Sequence, residues 1–388
     1  MPHDTPAFAG VTGQFNTGPR VPINDAAIGS MEDSLTDTIN DTRPNDQRKA
    51  ELLSKQVKHI DIKSFDARPI VDAMADMSFT SRDLGRATKI YNDMLADKDC
   101  TVVLVIAGST SAGGCMDLYA ELVRNNMVDV IVATGATIVD MDFFEGLGHK
   151  HYQALEVPDD DTLRSLYIDR IYDTYIDEEQ LQDCDFTIHK IAESLDPKPY
   201  SSRAFIREMG KYLVEHGKKD NSLVKLAYEH DVPIFCPAFV DSSAGFGLVK
   251  HQVDAAKEGR PYMVLDAIAD FRELTEIKIK AGTTGLLMIG GGVPKNFIQD
   301  TVVCAEILGH EDVEVHKYAV QITVADVRDG ACSSSTLQEA ASWGKVNTGI
   351  EQMVFAEAGS VMPLLASDAY HRGHWKDRAK RAWARLFA

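Results

Sequence analysis

The six cysteines of this sequence (Cys100, Cys115, Cys184, Cys236, Cys304, Cys332) include no CxxC pair. That argues against a zinc cage or a disulfide framework and fits a reducing cytoplasm. No apolar run reaches the ~18 residues needed to span a bilayer. The N-terminus lacks the basic, then apolar, then small-residue order of a signal peptide. A cytoplasmic location with no membrane partner is therefore expected. Positive charge is also scarce: 40 Lys and Arg stand against 59 Asp and Glu, a net charge of −19. Such a chain is a poor nucleic-acid binder and better suited to a cationic small molecule or a basic protein surface. Internal repeats and low-complexity segments are absent.

What is present is enough apolar material for a sizeable core, 44% of 388 residues. Residues 1–43 are rich in Gly, Pro, Asn, Asp and Thr and predict an irregular arm. Residues 44–388 read as one domain. Helical periodicity is expected at 44–56, 64–77 and 80–97. The run Thr101–Ala107 reads as a strand buried on both faces, and it enters the small-residue turn Gly108-Ser-Thr-Ser-Ala-Gly-Gly114 and a helix. Such a turn exposes N–H groups that can bind phosphate. It lacks GxGxxG spacing, and a plain tight turn fits the same letters. A second strand, 128–133, ends in Thr134-Gly135-Ala136-Thr137 with Asp140 beyond. Residues 143–200 read as polar, helical and loop-like. His149 and His151 lie on no clear element, so no metal is expected there. Strands are predicted at 232–235, 262–266, 285–289, 317–324 and 352–356. Gly290-Gly-Gly-Val-Pro-Lys295-Asn296 follows the third of these, and a helix follows Pro363. Recurrent βα alternation with glycine-rich turns predicts an α/β fold: a Rossmann-like open, mostly parallel sheet with helices on both faces. An amphipathic C-terminal helix is expected at 374–387, packed on the body rather than anchoring a membrane.

One stretch carries reactive chemistry: Glu339-Ala-Ala-Ser-Trp343-Gly-Lys345-Val346. An amine is nucleophilic only when neutral, and lysine is ordinarily protonated below a pKa of ~10.4. An indole beside it would exclude water and favour the neutral amine, which can form an imine with a carbonyl or iminium carbon. A surface lysine at a helix end, with Gly344 as its stop, fits the same residues.

The octapeptide closely resembles the active-site segment of deoxyhypusine synthases. Other stretches line up with that family in order: 108–114, Asn126-Met-Val-Asp-Val130, Pro237-Ala-Phe-Val-Asp241, Gly290–Lys295, Tyr318-Ala-Val, Asp329-Gly330 and Val361-Met-Pro-Leu-Leu365. The resemblance spans roughly 65–367. It implies NAD as a retained cofactor, Lys345 as the imine-forming nucleophile, and transfer of a 4-aminobutyl group from a polyamine to an acceptor amine. It also implies a homotetramer with sites at subunit interfaces. By position, NAD would touch Gly108, Ser109, Thr110, Ser111 and Ala112, then Thr134, Gly135, Ala136 and Asp140. It would also touch Asp241, Gly291, Val324, Ala325, Glu357 and Ala358. The polyamine would meet Glu339, Trp343, Asn296 and Asp300.

Departures from the family pattern bear on the substrate. Asp140 and Glu357 each replace the other acid. Phe246 and Cys332 stand where the family has aspartates, and Val139 where it has a glutamate. Asn296 replaces a pocket histidine, and Asp300 an asparagine. Coordinated loss of anions implies a changed amine. The expectation is transfer from spermidine or putrescine to a small polyamine, giving a homospermidine-type product. The alternatives are deoxyhypusine formation on a protein lysine of a translation factor, and a non-catalytic NAD-binding homologue.

Overall fold

A computed structural model describes residues 44–155, 159–333, 335–347 and 349–388, so the expected arm at 1–43 lies outside the described residues. The chain divides into residues 1–48 and a compact body, Lys49–Ala388, which is the subject below. In chain order its strands are β1 Thr101–Ile106, β2 Val130–Ala133, β3 His151–Gln153, β4 Ile168–Ile171, β5 Thr174–Asp177 and β6 Pro199–Tyr200. They continue as β7 Ile234–Phe235, β8 Val264–Leu265, β9 Thr284–Ile289, β10 Tyr318–Thr323 and β11 Glu351–Phe355. Six of them form one sheet in the order β11-β10-β9-β1-β2-β7, and every pairing in it is parallel.

The continuous apolar runs of β1 and β9 reflect cover on both faces. Val102, Leu104 and Ile106 enter one apolar core, while Val103 and Val105 enter another. The first core takes residues from helices Phe79–Ala96, Met116–Arg124 and Ala358–Arg372. The second takes them from Ala267–Ala281, Gly292–Gln299 and Leu337–Ser342. Each aliphatic side chain so buried contributes roughly 1.5–3 kcal/mol.

From β1 the chain steps outward to β2 and β7, then returns across to β9 and continues to β10 and β11. The connections leaving β1 and β9 therefore diverge. A crevice opens between them at the C-terminal edge of the sheet, where doubly wound folds bind their ligands.

Three expectations are corrected. Within 143–200, strands β3, β4 and β5 form a separate antiparallel sheet. Its short strands alternate with charged and polar residues, which is why they read as loop. The strand expected at 262–266 is reduced to β8, which leaves the main sheet and pairs with β6. The expected helix at 374–387 is absent. Two 3₁₀ turns, His374–Asp377 and Trp383–Phe387, flank an irregular stretch. Burial of Asp129 decides this. Its Oδ2 accepts the Val102 N–H at 2.8 Å and needs a cation; Arg378, in extended backbone, reaches it at 2.5 Å. Both side chains are almost wholly buried. An unpaired carboxylate there would cost more than a surface helix gains.

Candidate active site

Every residue expected at a dinucleotide follows the C-terminal end of a strand of the main sheet: β1 leads to 108–112, β2 to 134–140, β7 to 241, β9 to 291, β10 to 324–325 and β11 to 357–358. Thr137 Oγ1 donates to the Gly108 carbonyl at 3.1 Å and joins the first two turns. Gly135 lies against Ser242, whose Cβ would be 2.7 Å from an added methyl. Gly291 is closer packed still, since a Cβ there would meet the Ala331 carbonyl at 2.3 Å. Only glycine permits these approaches.

The carboxylates at this edge are already engaged. Asp140 Oδ1 accepts the Ser243 N–H at 2.8 Å, and burial pushes its pKa up to about 6, with Asp185 and Asp241 adding repulsion. Glu357 caps the helix Ala358–Arg372 through the N–H groups of Gly359 and Ser360, at 2.6 and 2.8 Å. Each oxygen retains a lone pair able to accept from a hydroxyl. The edge thus fits a nucleotide: small-residue turns that allow close approach, and acids poised for ribose.

Lys345 sits elsewhere. Its backbone lies beside the entry to β10, where Val346 bridges His316 and the Lys345 carbonyl accepts the His316 N–H at 3.0 Å. Its Nζ is 2.6 Å from Asp300 Oδ1 and 5.3 Å from the Trp343 ring centroid. Trp343 does not form the dry wall expected of it: 69% of it is exposed. A cation over an exposed indole gains only about 0.5–1 kcal/mol. Glu339 is also partly committed. Its Oε2 takes the Thr336 N–H at 2.7 Å while Thr336 Oγ1 takes the Glu339 N–H at 3.0 Å, a closed capping box that draws its carboxyl pKa down.

A groove of about 650 Å³ lies along the helix between the two regions. Gly292, Val293, Asn296, Phe297 and Asp300 line it from helix Gly292–Gln299 and its end, opposite Ile268 and Phe271. Eight helical residues span about 12 Å. The groove therefore runs from the glycine turn at the nucleotide edge to the carboxylate that holds Lys345. Asn296 and Asp300 are brought to it with Lys345 at its end. The remaining departures do not line it: Val139 and Cys332 are wholly buried, and Phe246 is exposed on another helix. His149 and His151 make no metal site; His151 Nδ1 bonds buried Glu145 at 2.8 Å, and His149 packs on Phe144.

Two residues with supporting roles escaped the sequence reading. Lys295 is wholly buried and donates from Nζ to the carbonyls of Cys332 and Ser335, at 3.0 and 2.7 Å; burial pushes its pKa down. His316 is likewise buried. Its Nδ1 meets the Thr284 hydroxyl at 2.8 Å and its Nε2 the Ile298 carbonyl at 3.2 Å, and burial, with Lys278 adding repulsion, pushes it down to about 3. It therefore holds both the Lys345 backbone and the end of the helix preceding Asp300. Lys295 stood inside the Gly290–Lys295 stretch but nothing there marked it as buried, and His316 lies among charged residues with no signal of its own.

The family model for deoxyhypusine synthase matches residues 69–369. A deoxyhypusine synthase-like protein of Coxiella burnetii is 70% identical over 340 residues, 87% of this chain and 96% of its own. One from Caulobacter vibrioides is 66% identical over 91% of this chain and 96% of its own. A probable deoxyhypusine synthase of Methanosarcina mazei is 38% identical over 85% and 92%. The crystal structure of a putative deoxyhypusine synthase from Entamoeba histolytica superposes with a TM-score of 0.54 at 21% identity, covering 81% of this chain and 97% of that one. At that identity it speaks to the fold alone.

Proposed function

The chain belongs to the deoxyhypusine synthase family, and on that basis we propose that it is an NAD-dependent transferase that moves a 4-aminobutyl group between amines through an imine on Lys345. The observation that carries the reading is Lys345 Nζ held 2.6 Å from Asp300 at the end of a groove that begins at the Gly290–Gly292 turn. A bound nicotinamide would supply reversible hydride acceptance at the turns of the sheet edge. The chain's own residues do the rest. The apolar walls, Ile268, Phe271 and Val293, take the methylene chain of the donor and exclude water from it. Asn296 offers an amide to a donor nitrogen. Trp343 presents its indole face to the cation, and Lys345 forms and later releases the imine. The donor is spermidine or putrescine.

The acceptor in this reading is a small polyamine, giving a homospermidine-type product. The altered anionic positions support that choice: Val139, Phe246 and Cys332 stand where the resemblance places carboxylates, while Lys345 keeps its own partner in Asp300. Exposed Ile268, Val293 and Trp343 beside the site are surfaces a second subunit would cover, which supports a homotetramer with sites at subunit interfaces.

The test is trapping. Protein incubated with NAD and labelled spermidine or putrescine is reduced with borohydride and digested, and the labelled peptide is identified by mass spectrometry. Label on Lys345 is expected, and none should appear in Lys345→Ala. Transfer persisting in that variant would refute the imine; label passing to a translation-factor lysine rather than to a free polyamine would refute the small acceptor.

A further inference from the structure

Lys345 must lose a proton before it can attack, and a carboxylate already touches it. We propose that Asp300 is the proton acceptor and donor for Lys345, a further catalytic residue in the transfer proposed above; the inference rests on that reading.

Placement is the first argument. Asp300 lies at the junction of helices Gly292–Gln299 and Thr301–Ile307. Its N–H donates to the Asn296 carbonyl at 2.8 Å, and its carbonyl accepts the Cys304 N–H at 2.9 Å. Next to it, Thr301 is wholly buried and its hydroxyl donates to the Ile298 carbonyl at 2.6 Å. The backbone under the carboxylate is thus fixed by both helices. Its Oδ1 is 2.6 Å from Lys345 Nζ, a direct ion-pair contact.

The lack of a competitor is the second. Among the described residues no other carboxylate forms an ion pair with Lys345. Glu339 serves the Thr336 cap, and Lys295, the nearby cation on Asp300's own helix, donates to two carbonyls. Across the groove the facing residues Ile268 and Phe271 are apolar. Asp300 itself is 43% exposed by side chain and lines the groove, so it can meet a substrate nitrogen as well as Lys345.

In water a carboxylate is too weak a base for an ammonium. When a substrate fills the groove and displaces that water, the ion pair loses its solvation, and the neutral acid and amine become competitive. The Lys345 ammonium then passes its proton to Asp300, and the freed lone pair adds to the iminium carbon of the oxidised donor. A proton of the adduct moves from the Lys345 nitrogen to the departing nitrogen, whose C–N bond breaks. The leaving amine takes the proton from Asp300 and departs as ammonium, and Lys345 carries the protonated imine. No electrons are exchanged in this step. The return transfer to the acceptor runs the same sequence in reverse.

The experiment measures the rate of borohydride-trapped label on Lys345 from labelled spermidine with NAD, using the full chain. Asp300→Asn, nearly isosteric and at a partly exposed position, is expected to slow labelling at saturating donor on the order of 10²-fold or more. Asp300→Ala is expected to be slow likewise and to recover, in proportion to its concentration, with added formate or acetate. Labelling of Asp300→Asn within about threefold of the parent rate would overturn the proposal. So would a slow Asp300→Ala that neither carboxylate restores, because a purely structural role responds to neither. If the unsubstituted protein, shown to bind NAD, takes no label, the transferase reading fails and this inference falls with it.

Discussion

His316 makes the stability of the Lys345 segment depend on acid. The imidazole is wholly buried, and two hydrogen bonds fix its neutral form: Nε2–H donates to the Ile298 carbonyl and Nδ1 accepts from the Thr284 hydroxyl. Burial, with the Lys278 ammonium adding repulsion, holds its pKa near 3, whereas the unfolded chain titrates near the ordinary value of 6.5. The unfolded state therefore binds this proton first, and the contribution is intact above pH 6.5 and is lost as pH falls toward 3. Between pH 7 and pH 5 the unfolded form gains about one proton over about 1.5 units, which at 1.36 kcal/mol per unit costs the fold about 2 kcal/mol. His316→Gln retains a donor and an acceptor but cannot titrate. Urea unfolding of both proteins at the two pH values isolates the term, because every other titrating group is common to both. The parent should lose about 2 kcal/mol more than His316→Gln on going from pH 7 to pH 5. Equal losses, within about 0.5 kcal/mol, would mean that His316 is not held neutral and that its hydrogen bonds do not tie Lys345 to Ile298.

Arg378→Ala removes the nearer cation from buried Asp129, leaving Arg381 at 3.9 Å, and should cost about 3 kcal/mol in urea unfolding, with part of the loss recovered in Asp129→Asn/Arg378→Ala; a cost under about 1 kcal/mol would show that Arg381 or water takes over the carboxylate. Thr336→Ala opens the capping box above Lys345 and should destabilise by about 1 kcal/mol while raising hydrogen exchange of the Glu339 amide. Unchanged exchange there would place the helix start under the control of packing alone.

Continuous apolar runs made the centre of the sheet legible. Strands β1, β9 and β10 are buried on both faces, so their residue types report their position directly. The edge strand β7 survives as two residues, and the stretch 232–235 announced it only through its flanking turn. The antiparallel strands β3–β5 lie in a charged segment where β3 and β4 are partly exposed and β5 is buried throughout, and a pattern over three or four residues carries little weight. The C-terminal tail shows the opposite failure. Its periodicity is real, but the demand of Asp129 for a cation outranks it, and that demand arises some 250 residues away. Among the site residues, Lys345 was legible because its neighbours in sequence form a motif. Its ion pair with Asp300 was not, since 45 residues separate the partners and only the fold brings them to one distance. The capping role of Glu339 was written in Thr336-x-x-Glu339 and overlooked because the same carboxylate suggested an amine partner.

The walls of the groove are loops and helix ends, which lack a ladder to hold them, and buried side chains take its place by binding backbone carbonyls. Gln321 donates to the Gly290 carbonyl at 2.9 Å, Lys295 to those of Cys332 and Ser335, and His316 to that of Ile298. Each bond pins a different segment bordering the site: the glycine turn, the 330–335 turn and the helix before Asp300. A buried ammonium is a costly way to fix a turn, since desolvation opposes its charge. The cost makes sense if two carbonyls must be fixed at once, because no neutral side chain offers three donors on so long a stem. The same economy applies at His316, where one ring ties β9 and a helix to the segment that enters β10. Precision at Lys345 therefore depends on residues that touch no substrate. Their substitution is expected to loosen the 2.6 Å contact with Asp300 before it unfolds the sheet, because the larger apolar core contains none of the residues these bonds join.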